Sequence, residues 1–263
     1  MSVSIDPTAI VSSAAELGEG VEIGPFCTVG PLVRLEAGVK LISHVSVQGR
    51  TSIGADTVVH PFVSLGQGPQ DIRYRGEDTA LQIGRGNILR EGVTMNLGTP
   101  KGRGVTRVGD GGFFMANSHI GHDCIVGNGA VMATGAVMGG FVEVGDNVNF
   151  GGLSAIHQFV RIGRNSMVGG GAPLLGDLIP FGMADNHGRL HGLNLIGLKR
   201  RGFSRETITT LRAFYRELFH GAGVFSERLE LVAARHSDCA EVSEILAFIR
   251  DGDRRPLCLP AAE

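Results

Sequence analysis

Two histidines and an aspartate lie close together in a part of the sequence that has few other charges. His119, His122 and Asp123 belong to the stretch NSHIGHDC, and no charged residue follows until Glu143. An imidazole beside a carboxylate suits general acid–base catalysis, because the pKa of histidine lies near neutral pH. Histidines are also common zinc ligands. The stretch therefore indicates a catalytic pair, a metal site, or exposed side chains without a chemical role.

A six-residue repeat indicates how these side chains are positioned. Counting in sixes from Ile5 to Leu65 meets an aliphatic residue every time, and a small or β-branched residue stands four positions after the first ten of them. The pattern returns from Val108 to Val168, displaced by one position, with large apolar residues in the same role. Two inward positions four apart fit short strands whose side chains alternate between two faces. Such repeats predict a parallel β-helix, in which each coil buries its apolar row against the next.

The register of the repeat places the candidate chemical groups on the outside of this helix. Ile120 and Cys124 take the inward first and fifth positions, so His119, His122 and Asp123 are expected to face outward. The second position is often glycine, and the corners of the coil are expected there.

The same register accounts for the uncharged stretch 124–142, which is long enough to cross a bilayer. Its glycines and its six-residue period indicate helix wall rather than a membrane span. A flat apolar wall favours a subunit contact or a groove for an apolar ligand.

The chain divides into two predicted domains. Residues 1–187 are expected to form the parallel β-helix, with projecting loops near 66–82 and 98–107, where glycine, proline and charge break the rhythm. Residues 188–263 are expected to form a C-terminal helical domain. Ser204 is a plausible N-cap for one helix, and a second helix is expected to close at Gly252.

Composition excludes some classes of function. The formal net charge is −2, which argues against a uniformly basic nucleic-acid-binding protein. The first residues show no basic segment followed by a continuous apolar run, so a cytoplasmic protein without stable membrane insertion is expected. The four cysteines are far apart, which favours reduced, structural thiols.

A zinc site and a scaffold remain as alternatives at this point. Two histidines three apart on extended backbone have Cα atoms separated by about 10 Å, too far for easy chelation within one chain. A zinc site, as in β-helical carbonic anhydrases, would need His44, His60 or His157 across a subunit interface. A non-catalytic trimeric scaffold would not need the outward histidine and aspartate.

Five segments carry a resemblance to a known family: IGPFCTVGP, GPQDIRYRGE, NSHIGHDCIVGN, AIHQFVRIG and NLIGLKRRGFSRE. In this order, and over nearly the whole chain, they resemble the bacterial UDP-N-acetylglucosamine O-acyltransferases that open lipid A synthesis. The resemblance implies a left-handed parallel β-helix and a homotrimer with sites between subunits. It also implies transfer of an (R)-3-hydroxyacyl chain from acyl carrier protein to position 3 of a UDP-sugar. No cofactor is implied beyond the carrier's phosphopantetheine thioester, which is a co-substrate, and no metal.

The resemblance also implies roles for individual residues. His122 corresponds to the general base, Asp123 to its supporting carboxylate, and Gly140 to the backbone amide that faces the oxyanion. Gly170 corresponds to the position that limits acyl length, and a glycine there implies room for a chain of about 14 carbons. Substrate-binding positions of the family match Asp71, Arg73, His119, His157, Gln158, Asn194, Arg200 and Arg201. The adjacent arginines suit phosphate oxygens, with a solvated basic patch as the alternative.

Three positions depart from the family pattern around the expected sugar site. Asn96 begins the segment NLGT where members usually have His-Arg-Gly-Thr, Phe141 replaces a histidine, and Ile196 replaces a glutamate. These changes motivate an alternative acceptor, the 3-amino analogue of the sugar, because an amine is a better nucleophile than a hydroxyl. Carrier protein is acidic as a class, so docking charges are expected among the basic residues Lys199, Arg205, Arg212 and Arg216.

Overall fold

The computed structural model describes residues 2–236, 238–252 and 254–261. The predicted domain limits at Met1 and Glu263 lie outside the described residues.

The first strands are β1 (Ser4–Ile5), β2 (Ile10–Val11), β3 (Glu16–Leu17), β4 (Glu22–Ile23), β5 (Thr28–Val29), β6 (Arg34–Leu35), β7 (Lys40–Leu41), β8 (Ser46–Val47), β9 (Arg50–Ile53) and β10 (Val58–Val59). They are followed by β11 (Ser64–Gln67), β12 (Ala80–Ile83), β13 (Ile88–Leu89), β14 (Thr94–Asn96), β15 (Val105–Val108), β16 (Phe113–Phe114), β17 (His119–Ile120), β18 (Ile125–Val126), β19 (Val131–Met132) and β20 (Val137–Met138). The last strands are β21 (Glu143–Val144), β22 (Asn149–Phe150), β23 (Ala155–Ile156), β24 (Arg161–Ile162), β25 (Met167–Val168), β26 (Pro173–Leu174), β27 (Gly182–Ala184) and β28 (Leu190–Leu193).

These strands form a left-handed parallel β-helix with three sides. From β1 to β23, each strand pairs in parallel with the strand three places further along the chain, as β4 does with β7, where Ile23 stands beside Leu41. At the C-terminal end β25 pairs with β27, and β27 pairs with β28 in antiparallel fashion. The first sheet runs from β1 to β28 in 11 strands, the second from β2 to β26 in 9, and the third from β3 to β24 in 8. Three hexads therefore make one coil of the parallel β-helix that the repeat predicts.

The inward positions of the repeat form one continuous core. Leu65 in the first position and Val63 in the fifth are almost fully buried, as are Ile120 and Cys124 in the second run. Each coil covers the apolar row of its neighbour, so truncating one such side chain is expected to cost about 2–5 kcal/mol of stability. The predicted core and its phase shift are confirmed, except in the first coil, where Ile5 is 44% exposed and Val11 and Leu17 are only partly buried.

Glycine at the second position of the repeat has a different role from the one expected. The turns lie at the third and fourth positions, and the fourth residue often has a positive φ, 59° at Asp123 and 64° at Phe141. A Cβ added to Gly24 would lie 1.8 Å from the carbonyl oxygen of Ile42, and one added to Gly121 would lie 2.8 Å from the backbone of Gly139. Close approach of the next coil, rather than the turn itself, requires glycine at these sites.

Three rows of turns separate the sheets, and we name each row by one of its residues. The Gly170 corner lies between the first and second sheets, the His122 corner between the second and third, and the Asn147 corner between the third and first. Both interruptions of the repeat leave from the His122 corner, as loop 68–79 between β11 and β12 and loop 97–104 between β14 and β15. The loops are shorter than the breaks in the repeat, because the ends of both breaks join strands.

The C-terminal part is helical. Its helices are α1 (Leu195–Arg200), α2 (Arg205–His220), α3 (Phe225–Arg235) and α4 (Ala240–Arg250). Ser204 accepts a hydrogen bond from the Thr207 amide at 3.0 Å, as expected of an N-cap. The sequence reasoning missed α1, and it missed α3, which buries only Val232 and has no side-chain cap. Among the described residues, the helices all lack the length and apolar character needed to span a bilayer.

Candidate active site

A histidine and an aspartate share one turn of the His122 corner. Nδ1 of His122 lies 2.8 Å from Oδ2 of Asp123. The His122 side chain is 17% exposed and the Asp123 side chain is 0% exposed. Asp123 thus lies outside the β-helix core, as the repeat predicts, but its carboxylate is not exposed, because loop 97–104 covers it. An imidazole at the surface backed by a buried carboxylate is the arrangement that a general base needs.

Loop 97–104 supplies most of the hydrogen bonds to this carboxylate. The Thr99 hydroxyl donates to Oδ2 at 2.7 Å and the Thr99 amide lies 3.0 Å from the same oxygen. The Arg103 amide donates to Oδ1 at 2.8 Å. Burial raises the pKa of Asp123, but the bonds from His122, Thr99 and Arg103 outweigh burial and hold that pKa below its usual range. The group stays ionised at neutral pH, and the stability that it contributes is lost only as the pH falls through this lowered pKa.

His119 lies on β17 of the second sheet, the strand that leads into the turn containing His122. Its Nδ1 is 2.7 Å from the Thr94 hydroxyl, and the two residues are paired neighbours on β17 and β14. Burial lowers the pKa of His119, and the charge of His122 lowers it further. His119 is therefore a neutral hydrogen-bonding group at pH 7.

An aromatic row continues the His122 corner away from the loops. The Phe141 ring meets the His122 ring edge-on at a centroid distance of 5.2 Å. Phe159, one coil further, stacks on Phe141 at 4.7 Å. One side of the imidazole is thus apolar and excludes water, which strengthens polar interactions on its other side.

Gly140 lies against the imidazole in the neighbouring coil. A Cβ at this position would be 2.5 Å from Cε1 of His122 and 2.6 Å from Nε2. Nε2, the ring nitrogen that Asp123 leaves unused, lies on the part of the ring that is close to Gly140. Among the hydrogen bonds of the described residues, none uses the Gly140 amide. That N–H is available to a ligand in front of His122.

Loop 68–79 brings a second carboxylate toward His122. The Arg73 guanidinium donates to both oxygens of Asp71, at 2.7 and 3.0 Å. The Asp71 side chain is 15% exposed, whereas the Arg73 side chain is 72% exposed. The bonds from Arg73 hold the pKa of Asp71 well below its usual range, and the charge of His122 contributes to the shift. The sequence-predicted pair therefore stands at the edge of the same site.

Asn96 lies at the base of both loops and is buried. Its Nδ2 donates to the Gly68 carbonyl at 3.2 Å. Its Oδ1 is buried with no hydrogen-bond donor among the described residues. A buried acceptor without a donor costs free energy.

The other predicted substrate residues lie on two different corners. His157 and Gln158 are exposed on the His122 corner, two coils beyond His122. Arg201 donates to the Asn147 carbonyl at 3.2 Å, which places it on the Asn147 corner with Arg200 exposed beside it.

Asn194 and Gly170 also lie away from His122. Asn194 is 6% exposed, and its side chain caps α1 and donates to the Asn165 carbonyl on the Asn147 corner. Gly170 is exposed on its own corner, three coils beyond His122, or about 14 Å along the helix axis. One chain therefore brings together the catalytic candidates and the two loops, but not the remaining residues.

Within the described ranges, no three His, Cys, Asp or Glu side chains converge as a metal ion requires.

Comparison with known proteins gives a consistent relationship. Residues 177–258 match the family model for domain 2 of UDP-N-acetylglucosamine O-acyltransferase. The acyl-[acyl-carrier-protein]–UDP-N-acetylglucosamine O-acyltransferases of Caulobacter vibrioides and Azorhizobium caulinodans are 55% and 50% identical, over 99% and 98% of this chain and 100% and 95% of theirs. The crystal structure of the UDP-N-acetylglucosamine O-acyltransferase from Moraxella catarrhalis superposes with a TM-score of 0.93 at 37% identity, over 97% of this chain and 99% of that one. The chain therefore belongs to the acyl-[acyl-carrier-protein]–UDP-N-acetylglucosamine O-acyltransferase family.

Proposed function

We propose that this protein transfers an (R)-3-hydroxyacyl chain from acyl carrier protein to position 3 of UDP-N-acetylglucosamine, the first step of lipid A synthesis. The observation that carries the proposal is the 2.8 Å contact between His122 and the fully buried Asp123, with the imidazole close to Gly140, whose amide makes no hydrogen bond among the described residues. Membership of the acyltransferase family replaces the carbonic anhydrase and scaffold alternatives as the explanation for this pair.

The site accounts for each proton and bond of the reaction. Nε2 of His122 accepts the proton of the sugar hydroxyl as its oxygen attacks the thioester carbonyl carbon, and Asp123 stabilises the imidazolium. The Gly140 amide donates to the oxyanion of the tetrahedral intermediate. The C–S bond then breaks, and the imidazolium returns the proton to the departing phosphopantetheine thiolate. The thioester supplies the activated acyl group, so the reaction needs no further cofactor.

Surface chemistry supports a homotrimer with shared sites. From Val58 to Met183, the outward residues of the first sheet carry no charge and include Ile88, Phe113 and Met167. The outward residues of the third sheet, such as those of β6, β15, β21 and β24, are mostly charged. The first and second sheets are thus suited to subunit contacts, and the third to solvent.

A closed ring would bring the separated corners together. If the first sheet of one subunit packs on the second sheet of the next, the His122 corner lies beside the neighbour's Asn147 corner, which carries Asn194, Arg200 and Arg201. His157, Gln158, Asp71 and Arg73 would then face the same cleft. A heterologous contact that closes after three copies has this property.

The free cysteines and the proposed substrates indicate the compartment in which the protein works. All four cysteines are free thiols, which suits a reducing compartment. Acyl carrier protein and UDP-sugars are cytoplasmic metabolic partners, so we place the protein in the cytoplasm.

Direct acyl-transfer assays test the proposal. Purified protein is incubated with 3-hydroxyacyl carrier protein and UDP-N-acetylglucosamine, and the acylated nucleotide sugar is identified by mass spectrometry. An ester at position 3 is the expected product. Absence of transfer to this sugar and to its 3-amino analogue would overturn the proposal.

A second acceptor is favoured by one specific observation. Phe141 gives His122 an apolar neighbour. An amine is a better nucleophile than a hydroxyl, so it depends less on polar groups around His122. The ratio of kcat/KM for the two sugars, measured side by side, decides between them, and a ratio in favour of the hydroxyl excludes the amine.

Substitution of Gly170 is expected to change acyl-chain preference. A Cβ at Gly170 meets only the Gly152 backbone, at 3.4 Å, so a larger side chain can be accommodated while projecting into the proposed acyl groove. Gly170→Met should reduce kcat/KM for a 14-carbon chain by about tenfold or more relative to a chain shorter by two to four carbons. Unchanged relative rates for carriers of different chain length would remove Gly170 from this role.

Carrier-protein docking is expected to depend on the basic side of α2. A groove of about 450 Å³ beside this helix is lined by Arg212, Arg216 and His220 together with apolar side chains. Reversing charge with Arg212→Glu plus Arg216→Glu should raise KM for acyl carrier protein about tenfold at low salt, and the difference should shrink as salt is added. Arg34→Glu, on the distant third sheet, is the matched control. An equal, salt-insensitive KM in both variants would exclude this docking surface.

A further inference from the structure

We propose that Thr99 and Arg103 are positioning residues of the reaction: they fix the Asp123 carboxylate, and through it the orientation of the His122 imidazole. The inference rests on the proposed function and adds a role for loop 97–104, whose residues have no part in the chemistry described above.

The carboxylate is held chiefly by this loop. Among the described residues, four groups donate to the Asp123 carboxylate. The Thr99 amide, the Thr99 hydroxyl and the Arg103 amide belong to loop 97–104, and His122 belongs to the β-helix corner. The carboxylate is fully buried, so water cannot replace a donor that moves away. Its orientation therefore depends on where the loop lies.

The Arg103 side chain fastens the loop to the β-helix at two points. Its Nη1 donates to the Asp123 carbonyl at 2.7 Å. Its Nη2 forms an ion pair with Glu143, on the strand next to the one that follows Asp123. The planar guanidinium can make both contacts at once, which a lysine ammonium does less well.

The loop passes as close to the carboxylate as the backbone permits. A Cβ on Gly102 would lie 2.5 Å from the carboxylate carbon of Asp123 and from its Oδ1. The segment between Thr99 and Arg103 therefore encloses the carboxylate without space for adjustment. Displacement of either end would move the carboxylate or leave it without donors.

The imidazole has no other polar restraint among the described residues. Its hydrogen bond goes to Asp123, and its other neighbours are the edge of the Phe141 ring and the Gly140 backbone. Rotation about the terminal torsion of histidine is broad and is not set by rotamer preference alone. The carboxylate therefore decides that Nδ1 is the bonded nitrogen and that Nε2 faces the substrate.

Two pairs of variants separate positioning from simple stability. Thr99→Val removes the hydroxyl donor while keeping shape, and Thr99→Ser restores the hydroxyl. Arg103→Ala removes both side-chain anchors. The matched control is Arg107→Ala, because Arg107 is an exposed residue of β15 whose guanidinium bonds Gln82. Thr99→Val and Arg103→Ala should each lower kcat by about 10–100-fold with KM for the UDP-sugar nearly unchanged. Thr99→Ser and Arg107→Ala should stay within about threefold of the wild type.

A double-mutant cycle with Asp123 is the decisive measurement. In an Asp123→Asn background, Arg103→Ala and Thr99→Val should lower kcat by less than about threefold further, because they act through the carboxylate. Full additional loss in that background, or a change confined to KM, would overturn the proposal. Thermal unfolding of each variant is measured alongside. If one variant does not fold, the other carries the cycle.

The results distinguish failure of the positioning role from failure of the proposed acyltransferase function. An active wild type with unaltered kcat in Arg103→Ala and Thr99→Val rejects the positioning role alone. A wild type that transfers no acyl chain to either sugar rejects the function.

Discussion

Replacing His122 by alanine is expected to lower kcat for acyl transfer by about 10³-fold, within the range typical of a positioned general base. The variant keeps the Gly140 amide, loop 97–104 and the substrate residues, so KM should change little. Without the imidazole, water is the only acceptor for the sugar proton, and Asp123 cannot replace His122 because it is buried beneath the loop. Single-turnover assays with the better of the two UDP-sugars measure the loss.

Controls for this variant use a histidine elsewhere on the β-helix. His60→Ala removes an imidazole that lies 3.4 Å from Glu91 on the Gly170 corner, and it should leave kcat within about threefold of the wild type. Thermal unfolding and the molecular mass in solution establish that both variants keep their assembly. A His122→Ala enzyme within tenfold of the wild type would transfer the general-base role to another group.

The β-helix was predictable because the six-residue period of the sequence is also the period at which side chains are buried. Every sixth residue must fill the interior, so Leu65 and Ile120 could be assigned to the core without any knowledge of the coil's shape. The corners were harder to place. Glycine at positions such as Gly121 suggested a turn, whereas the structure shows that the next coil leaves no space for a side chain there.

The environment of the catalytic pair was less accessible to sequence reasoning. The repeat correctly places Asp123 outside the core, but it contains no information about a loop that folds back over the corner. Thr99 and Arg103 belong to a break in the pattern, and their contacts with Asp123 arise from the path of the loop. One feature of the sequence pointed to these loops. Both interruptions fall in the same phase of the repeat as His122, between a strand of the second sheet and a strand of the third.

The remaining predicted site residues show a further limit of prediction from sequence. The family resemblance names Asn194, Arg201 and Gly170, yet the described chain places them on two corners other than that of His122. A linear pattern cannot show this separation, because neighbouring hexads occupy different faces. The separation is the strongest structural argument for an assembly in which each site draws on two subunits.

Replacing Gly140 by alanine is expected to lower kcat by about 10²-fold through displacement of the His122 ring. The new Cβ would lie 2.5 Å from Cε1 and 2.6 Å from Nε2 of His122, closer than real contacts allow. Gly140 does not have the positive φ that alanine would resist, so the loss can be assigned to this contact rather than to backbone strain. Steady-state kcat and KM, measured beside thermal unfolding, register the change.

The His122→Ala background separates the two ways in which Gly140 can contribute. Alanine at position 140 keeps the backbone amide that is proposed to face the oxyanion, and the truncated residue 122 leaves space for the added methyl group. If Gly140→Ala acts only by pushing the imidazole aside, it should cause no further loss in this background. If the two losses multiply, the methyl group also moves the amide away from the oxyanion, and Gly140 positions the acyl group independently of the base.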